Sequence, residues 1–245
     1  MDQGMYTAAA GAIAMEERLA VISNNLANFN AAGFKKDRVV FEGFQKVLDA
    51  SGLAAGQYRA VPVDVVVGGQ YIDTTQGPFR DTGNPLDVAI VGEGFFVVNT
   101  DDGPRYTRAG TFQISPEGLL VTPQGHPVQG EGGDIAVGGG RVTIDSRGAV
   151  MVDGEEVDVL QVVAIDGEAL VREGSTLFSV RQGYAPGVVD APVIRQGCIE
   201  AANVDPILET VGLITTQRAY EAFQKVIKSV SDSYTKSMQD VGATA

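Results

Sequence analysis

Tryptophan is missing from the 245 residues, and cysteine and histidine occur once each, as Cys198 and His126. A single cysteine excludes an intrachain disulfide and any cysteine-rich metal site. A single histidine excludes every catalytic or metal arrangement that needs two imidazoles. Basic residues are scarce as well: 18 Lys and Arg stand against 31 Asp and Glu, a formal charge of −13. Phosphate binding needs clustered cations, so this balance argues against nucleic acid as a partner. No apolar run approaches the roughly 18 residues that suggest a transmembrane helix, and no membrane insertion is expected. The N-terminal stretch also lacks the basic region of a secretory signal. Its first basic residue is Arg18, and its alanines run straight into Glu16 and Glu17. That pattern predicts a retained segment rather than a cleaved signal peptide.

What is present is distributed unevenly. With 44% apolar and 20% charged residues, the composition is that of a folded protein able to bury a core. Residues 1–48 carry 5 basic and 5 acidic side chains, and residues 199–245 carry 4 and 6. The middle, 49–198, therefore holds 9 and 20, together with 25 of the 31 glycines and 9 of the 10 prolines. Gly and Pro break helices and make turns, so helix is expected at the two ends and turn-rich strand between them.

In the first zone Met5, Ala8, Ala12, Met15, Leu19, Ile22, Leu26 and Phe29 alternate spacings of three and four. Such a stripe is the seam of a coiled coil, whose 3.5-residue period keeps one line of side chains facing a partner helix. The helix should stop at Asn28–Phe29–Asn30, with Gly33 supplying a left-handed turn soon after. The last zone answers it. Asp205 is placed to cap a helix whose first residue is Pro206, where a missing N–H costs nothing. Leu213, Thr216, Tyr220, Phe223, Ile227, Val230 and Tyr234 then repeat the same alternation, with Thr216 its weak member. The two helices are expected to form one coiled-coil unit. The alternative is a pair of amphipathic helices packed on a globular core, although such helices usually carry a wider apolar stripe.

The middle reads as short strands between turns. Leu86 to Val91, Phe95–Val98, Thr111 to Ile114, Leu119–Val121, Val142–Ile144, Val150–Val152, Val159–Ile165 and Thr176–Val180 are the apolar runs. Asp153–Gly154 is a hairpin signal between two of them. Turn signals every 8–12 residues or so point to an all-β barrel or sandwich. The expected fold is α+β, with terminal helices pairing as a coiled coil around a mainly antiparallel central domain. Its divisions are 1–35 plus 203–245 (helical), 36–75 and 185–202 (connecting), and 76–184 (central β).

Candidate chemistry is thin. Gly92–Glu93–Gly94 has no third glycine and leads into the strand-like Phe95–Val98, so it reads as a tight turn rather than a dinucleotide loop. His126 lies in a Gly–His–Pro turn and reads as an exposed histidine without a catalytic task. Cys198 reads as a small, partly buried hydrophobe. Asp101–Asp102 and the acidic stretch from Asp153 to Asp158 lack the alternating ligands of a calcium loop and read as solvated turn charges. Neither a nucleophile with a base partner, nor a P-loop, nor a zinc spacing occurs, so no catalytic residue, metal or cofactor is expected.

One stretch is more specific. Ser23–Asn24–Asn25–Leu26–Ala27–Asn28–Phe29–Asn30–Ala31–Ala32–Gly33–Phe34–Lys35 resembles the N-terminal signature of bacterial flagellar rod and hook proteins. The family pattern is an Asn-Asn-Leu-Ala-Asn core, a short turn, then Gly-Phe-Lys, here carried by Asn24, Asn25, Leu26, Ala27, Asn28, Gly33, Phe34 and Lys35. Three more blocks resemble the family in order and spacing: Thr82 to Val98, Arg105 to Val121, and Asn203 to Val230 with its Thr216–Gln217–Arg218–Ala219–Tyr220–Glu221. Within the family the proximal-rod branch is the nearest match and the distal-rod branch the alternative. Distal members usually carry a longer polar insertion than Val47 to Val67 can hold.

The resemblance implies a structural, non-enzymatic subunit of the flagellar basal-body rod, which crosses the periplasm and transmits torque. It implies copies of itself and other rod proteins as partners, and the flagellar export apparatus as a partner in transit. The assembly seam would be Met5, Ala12, Met15, Leu19, Ile22, Leu26, Leu213, Tyr220, Phe223, Ile227, Val230 and Tyr234. Narrow-seamed helices are marginal alone, because nucleation is costly, and gain stability when stacked. Head-to-tail contacts that do not close then yield a filament. A rival reading of another class is a secreted β-domain that binds or hydrolyses a glycan with a pair of carboxylates.

Overall fold

The computed structural model describes residues 3–43, 65–189 and 191–242. Helix α1 runs Gln3–Ala27 and helix α2 runs Pro206–Gly242. Everything described between them is strand, turn and one short 3-10 turn, Gly167–Ala169. The helical ends and the mainly antiparallel β middle match the sequence expectation, and the fold is α+β. Helix α2 starts on Pro206, a position where the missing N–H costs no helical hydrogen bond. Helix α1 stops at Ala27, two residues short of the periodic pattern. Phe29 therefore belongs to the turn that follows and is 37% exposed, so it is not a member of the helical stripe.

By its contacts the chain divides into two units. The first takes 1–26, 37–71 and 206–245, the second 27–36 and 72–205. This partition draws residues 27–36 in with the β-rich region. In the first unit the strand β1, Asp37–Gly43, pairs with β2, Val65–Ile72. The two helices of this unit approach each other closely at two points. A Cβ on Gly11 would stand 2.6 Å from the Phe223 ring, and one on Gly212 would stand 3.5 Å from Ile22 Cδ1. Residue number rises along α1 between these points and falls along α2, so the helices run antiparallel there.

The second unit is built on a six-stranded antiparallel sheet. Its order is Leu170–Glu173, Leu177–Val180, Gly103–Thr107, Phe95–Thr100, Val162–Ala164 and Gly187–Val188. Phe95–Thr100 alternates its side chains between two clusters, because successive strand residues face opposite ways. Phe96 and Val98 join Val88, Ile90, Leu120, Val128, Ile135 and Leu160 in one core. Phe95 and Val97 join Tyr106, Val163, Leu170 and Phe178 in the other. Edge-to-face ring pairs sit in each, Phe96 with Phe112 at 5.4 Å and Phe95 with Phe178 at 5.7 Å.

A three-stranded sheet, Val142–Ile144, Ala149–Val152 and Glu155–Val159, turns at Asp153–Gly154. Both turn residues have positive φ, 52° and 94°, the geometry that suits a two-residue hairpin to strand twist. The run Val159–Ile165, read as one strand, is interrupted. Leu160 N–H donates to Gly148 and Gln161 N–H to Gln129, which hands the chain from one sheet to the next before Val162–Ala164 begins.

Two strand pairs join distant parts of the chain. Val88–Val91 pairs with Val193–Gln196, and Phe79–Asp81 with Cys198–Glu200. Cys198 is only 1% exposed, more buried than its sequence setting suggested, and burial pushes its thiol pKa up. His126 is half-buried rather than exposed, its carbonyl accepting the Thr122 N–H at 2.9 Å.

Candidate functional site

The helical stripes come first. In α1, Ala8, Ala12 and Ile22 are buried, and Met5, Met15, Leu19 and Leu26 are half-buried. Gly11, Ala14 and Asn25 are buried beside them. In α2, Leu213, Tyr220, Phe223, Ile227 and Val230 are half-buried on a helix whose other positions are mostly exposed. Thr216, the polar member of the pattern, is 3% exposed, while Tyr234 at the far end is 46% exposed.

The turn after α1 is held by its own polar groups. Asn25 pairs both ways with the backbone of Asp37, its Nδ2 donating to the carbonyl at 3.0 Å and its Oδ1 accepting the N–H at 2.9 Å. This imitates a strand pairing and fixes where β1 leaves the turn. Asn28 accepts the Ala31 N–H at 2.9 Å, and Asn24 and Ala27 face solvent. Gly33 has φ +69°, and a Cβ there would lie 2.2 Å from the backbone of Arg108 and Ala109. Only glycine satisfies both conditions. The close approach also brings Gly33 N–H onto the Glu200 carbonyl at 2.7 Å.

Phe34 and Lys35 follow into the interior, each fully buried. The Lys35 ammonium donates to Glu200 Oε1 at 2.6 Å, to the Thr75 carbonyl at 2.7 Å and to the Thr74 carbonyl at 3.2 Å. Its three donors therefore have three acceptors. Glu200 Oε1 also accepts Gly77 N–H at 2.9 Å, and Glu200 Oε2 stands 3.3 Å from Arg108 Nη1. Arg108 in turn donates to the carbonyls of Ile90 and Gly92. Two cations thus share one carboxylate away from water. Burial pulls the Lys35 and Arg108 pKa values down, and the Glu200 charge opposes that in both. Arg172 stacks over Phe34 with its guanidinium 4.7 Å from the ring centre, and donates to the Lys35 carbonyl.

Asn203 closes the same region. Its Oδ1 accepts Lys36 N–H at 2.8 Å, and its Nδ2 donates to the Asp73 carbonyl at 2.8 Å and the Thr75 carbonyl at 3.1 Å. One amide thus ties three separate chain segments together.

Chemically this cluster holds backbone in place. A lysine with a lowered pKa is a candidate nucleophile when a substrate can reach it. Lys35, wholly buried and fully bonded, is a brace. Among the described residues, no three or more His, Cys, Asp or Glu side chains are grouped to hold a metal ion. The structure brings Gly33, Phe34 and Lys35 together with Arg108, which the sequence placed in a separate block. Glu200 and Arg172 carried no motif. The one signal for Glu200 was a lone acid inside the otherwise apolar Cys198–Ile199–Glu200–Ala201–Ala202.

Three family descriptions match the chain. Residues 5–35 match "Flagella basal body rod protein", residues 89–152 "Flagellar hook protein FlgE/F/G D1 domain", and residues 195–239 "Flagellar basal body rod FlgEFG protein C-terminal". Among curated relatives, the flagellar basal-body rod protein FlgF of Caulobacter vibrioides is 34% identical, with 99% of each chain covered. FlgG of the same organism is also 34% identical, over 93% of this chain and 95% of the relative. FlgF of Mesorhizobium japonicum is 29% identical over 99% of each.

Proposed function

Because the chain belongs to the flagellar basal-body rod family and is a structural subunit of the basal body, we propose that its terminal helices carry the assembly, pairing as a coiled coil along their narrow apolar stripes. The observation that carries this reading is the antiparallel approach of the helices at Gly11–Phe223 and Ile22–Gly212. Leu213, Thr216, Tyr220, Phe223, Ile227 and Val230 lie on the less exposed line of α2. The partners are copies of this chain and other rod proteins. The flagellar export apparatus delivers it without signal cleavage, and the periplasmic rod is its destination.

Within the family the proximal rod is the position proposed, with the distal rod as runner-up. The support is the short stretch Val47 to Val67, of which residues 47–64 lie outside those described. Relatives named FlgF and FlgG are equally identical at 34%, so identity alone does not rank them.

Sedimentation of the purified full chain across a concentration series tests the assembly reading. Large species that grow with concentration, and that disappear when Leu26 is replaced by Asp, are expected. A monomer at every concentration, alone or with purified rod partners, would overturn it.

A further inference from the structure

Among the described residues, two buried side-chain polar atoms have no hydrogen-bond partner, Arg108 Nε and Glu200 Oε2, both in the second unit. They belong to one ion pair. Arg108 Nη1 stands 3.3 Å from Glu200 Oε2, and the two side chains are 3% and 1% exposed. Buried polar atoms in folded proteins are nearly always paired, with protein or with ordered water, so two orphans at one contact call for a shared partner.

Both side chains are held from other directions. The guanidinium donates through Nη1 to the Ile90 carbonyl at 3.2 Å and through Nη2 to the Gly92 carbonyl. Its central carbon lies 5.6 Å from the centre of the Phe95 ring. Glu200 is held through Oε1, which accepts from Lys35 Nζ at 2.6 Å and from Gly77 N–H at 2.9 Å. Swinging either group across to the other would break bonds already made.

The gap has the span of one small molecule. With C–N bonds of about 1.33 Å at trigonal angles, two guanidinium nitrogens stand about 2.3 Å apart. Arg108 Nε is therefore at most about 5.6 Å from Glu200 Oε2. A molecule making one hydrogen bond to each side covers roughly 5.4–6.4 Å. Its chemistry is fixed as well, since it must accept from an N–H and donate to a carboxylate oxygen. An anion would suit Arg108 and be repelled by Glu200, and a metal cation would do the reverse. Water meets both demands. A way in exists, because Arg108 forms part of the wall of a cleft of about 620 Å³, with Thr74, Thr75, Gly92, Glu93 and Phe95.

We propose that one ordered water bridges Arg108 Nε–H and Glu200 Oε2 and is a fixed member of the Lys35–Glu200–Arg108 cluster. It gives the second carboxylate oxygen a donor and the guanidinium its missing acceptor. Every group involved lies in the second unit, so the site does not depend on how the terminal helices assemble.

A crystal structure of the full chain, at a resolution that shows ordered solvent, tests the bridge alongside a second crystal grown in sodium bromide. One peak within hydrogen-bond distance of both atoms is expected, with no bromide anomalous signal there. Arg108 Nε in direct contact with Glu200 Oε2, or a bromide ion between them, would overturn the proposal. In solution, the Arg108 Nε–H of nitrogen-15-labelled full chain is expected to give a cross-peak with water, of the sign that marks a long-lived bound molecule. Cross-peaks with protein protons alone would overturn it too. Arg108→Lys keeps the cation and removes the Nε–H, so the variant should lose the peak. A peak that stays in place would show that other groups hold the water, and the bridge falls. If that variant fails to fold, the two measurements on wild type still decide.

Discussion

The Lys35 ammonium lies 2.6 Å from Glu200 Oε1, although 165 residues separate them and neither side chain exceeds 1% exposure. Both charges have left water, which is costly, and their attraction repays that only with the help of further polar groups. For Glu200, Gly77 N–H donates to the shared oxygen, while the Arg108 guanidinium stands 3.3 Å from the other as an ion pair, with no hydrogen bond to that oxygen among the described residues. For Lys35, the carbonyls of Thr74 and Thr75 accept.

Removing the single anion and removing one of the two cations have unequal consequences. Glu200→Gln leaves Lys35 and Arg108 facing each other without a counter-charge and is expected to cost about 3–5 kcal/mol. Lys35→Met leaves Glu200 with Arg108 and Gly77, strands two carbonyls, and is expected to cost about 1–3 kcal/mol. Urea unfolding followed by circular dichroism checks the ranking, tryptophan fluorescence being impossible in this chain. A larger loss for Lys35→Met would mean that Arg108 does not sustain Glu200.

The same pair gives the alkaline limb of stability its sign. Desolvation draws the Lys35 pKa below its ordinary 10.5, Glu200 and Asp73 pulling it back up and Arg108 pushing it further down. Below the native pKa both states hold the proton and the burial cost is constant. Between the native pKa and 10.5 the unfolded chain binds more protons, so stability rises with pH across that window. The unfolding free energy of wild type relative to Lys35→Met should therefore climb as pH rises from the lowered native pKa toward 10.5. A difference that stays flat or falls would show that Lys35 keeps an ordinary pKa in the fold.

Gly33 is a requirement of the folded chain itself. The turn is packed inside the second unit, and a Cβ would lie 2.2 Å from the backbone of Arg108 and Ala109, where nothing flexible can give way. Gly33→Val is expected to cost roughly 1 kcal/mol for its positive φ and about 1–3 kcal/mol more for overpacking. Gly83, at φ +72° with nothing near its Cβ position, is the control. Gly83→Ala should lose only the conformational part, roughly 1 kcal/mol. Equal losses in denaturant titrations of the two variants would mean that the contact at Gly33 relaxes freely.

The seam predicts the opposite separation. Leu26→Asp and Ile227→Asp introduce charge on half-buried lines of α1 and α2, in the first unit. Both should abolish polymerisation and motility while the β-rich unit unfolds at the wild-type denaturant midpoint. A shifted midpoint in either variant would show that the helix stripes belong to the globular core, the alternative that periodicity left open.

What the sequence made legible was whatever is local. The three-four alternation marked both helices, Pro206 marked the start of α2, and Asp153–Gly154 marked a hairpin, because each is governed by near neighbours. Thr216 looked like a flaw in the pattern for the same reason. Its burial reflects position on the helix face and not its own polarity. The run Val159–Ile165 misled because apolarity is shared by one strand and by two strands in different sheets. The Lys35–Glu200–Arg108 cluster was illegible, since local pattern carries no information about which residues meet across so long a separation. The motif pointed to Lys35 without revealing its partner.

The pairing of Phe79–Asp81 with Cys198–Glu200 and of Val88–Val91 with Val193–Gln196 bears on the order in which the chain can fold. Contacts between distant segments must meet the entropy of closing a long loop before they return any stabilisation. The second unit is shut by the last strands before α2, and Lys35 finds its counter-charge only when Glu200 arrives. A chain delivered from its N-terminus thus lacks the residues that complete its β-rich unit until nearly all of it has emerged. Until then its sheet partners are missing and its buried lysine is solvated. Late closure is written into the strand order itself, and a chain truncated before Val193 should fail to form the unit.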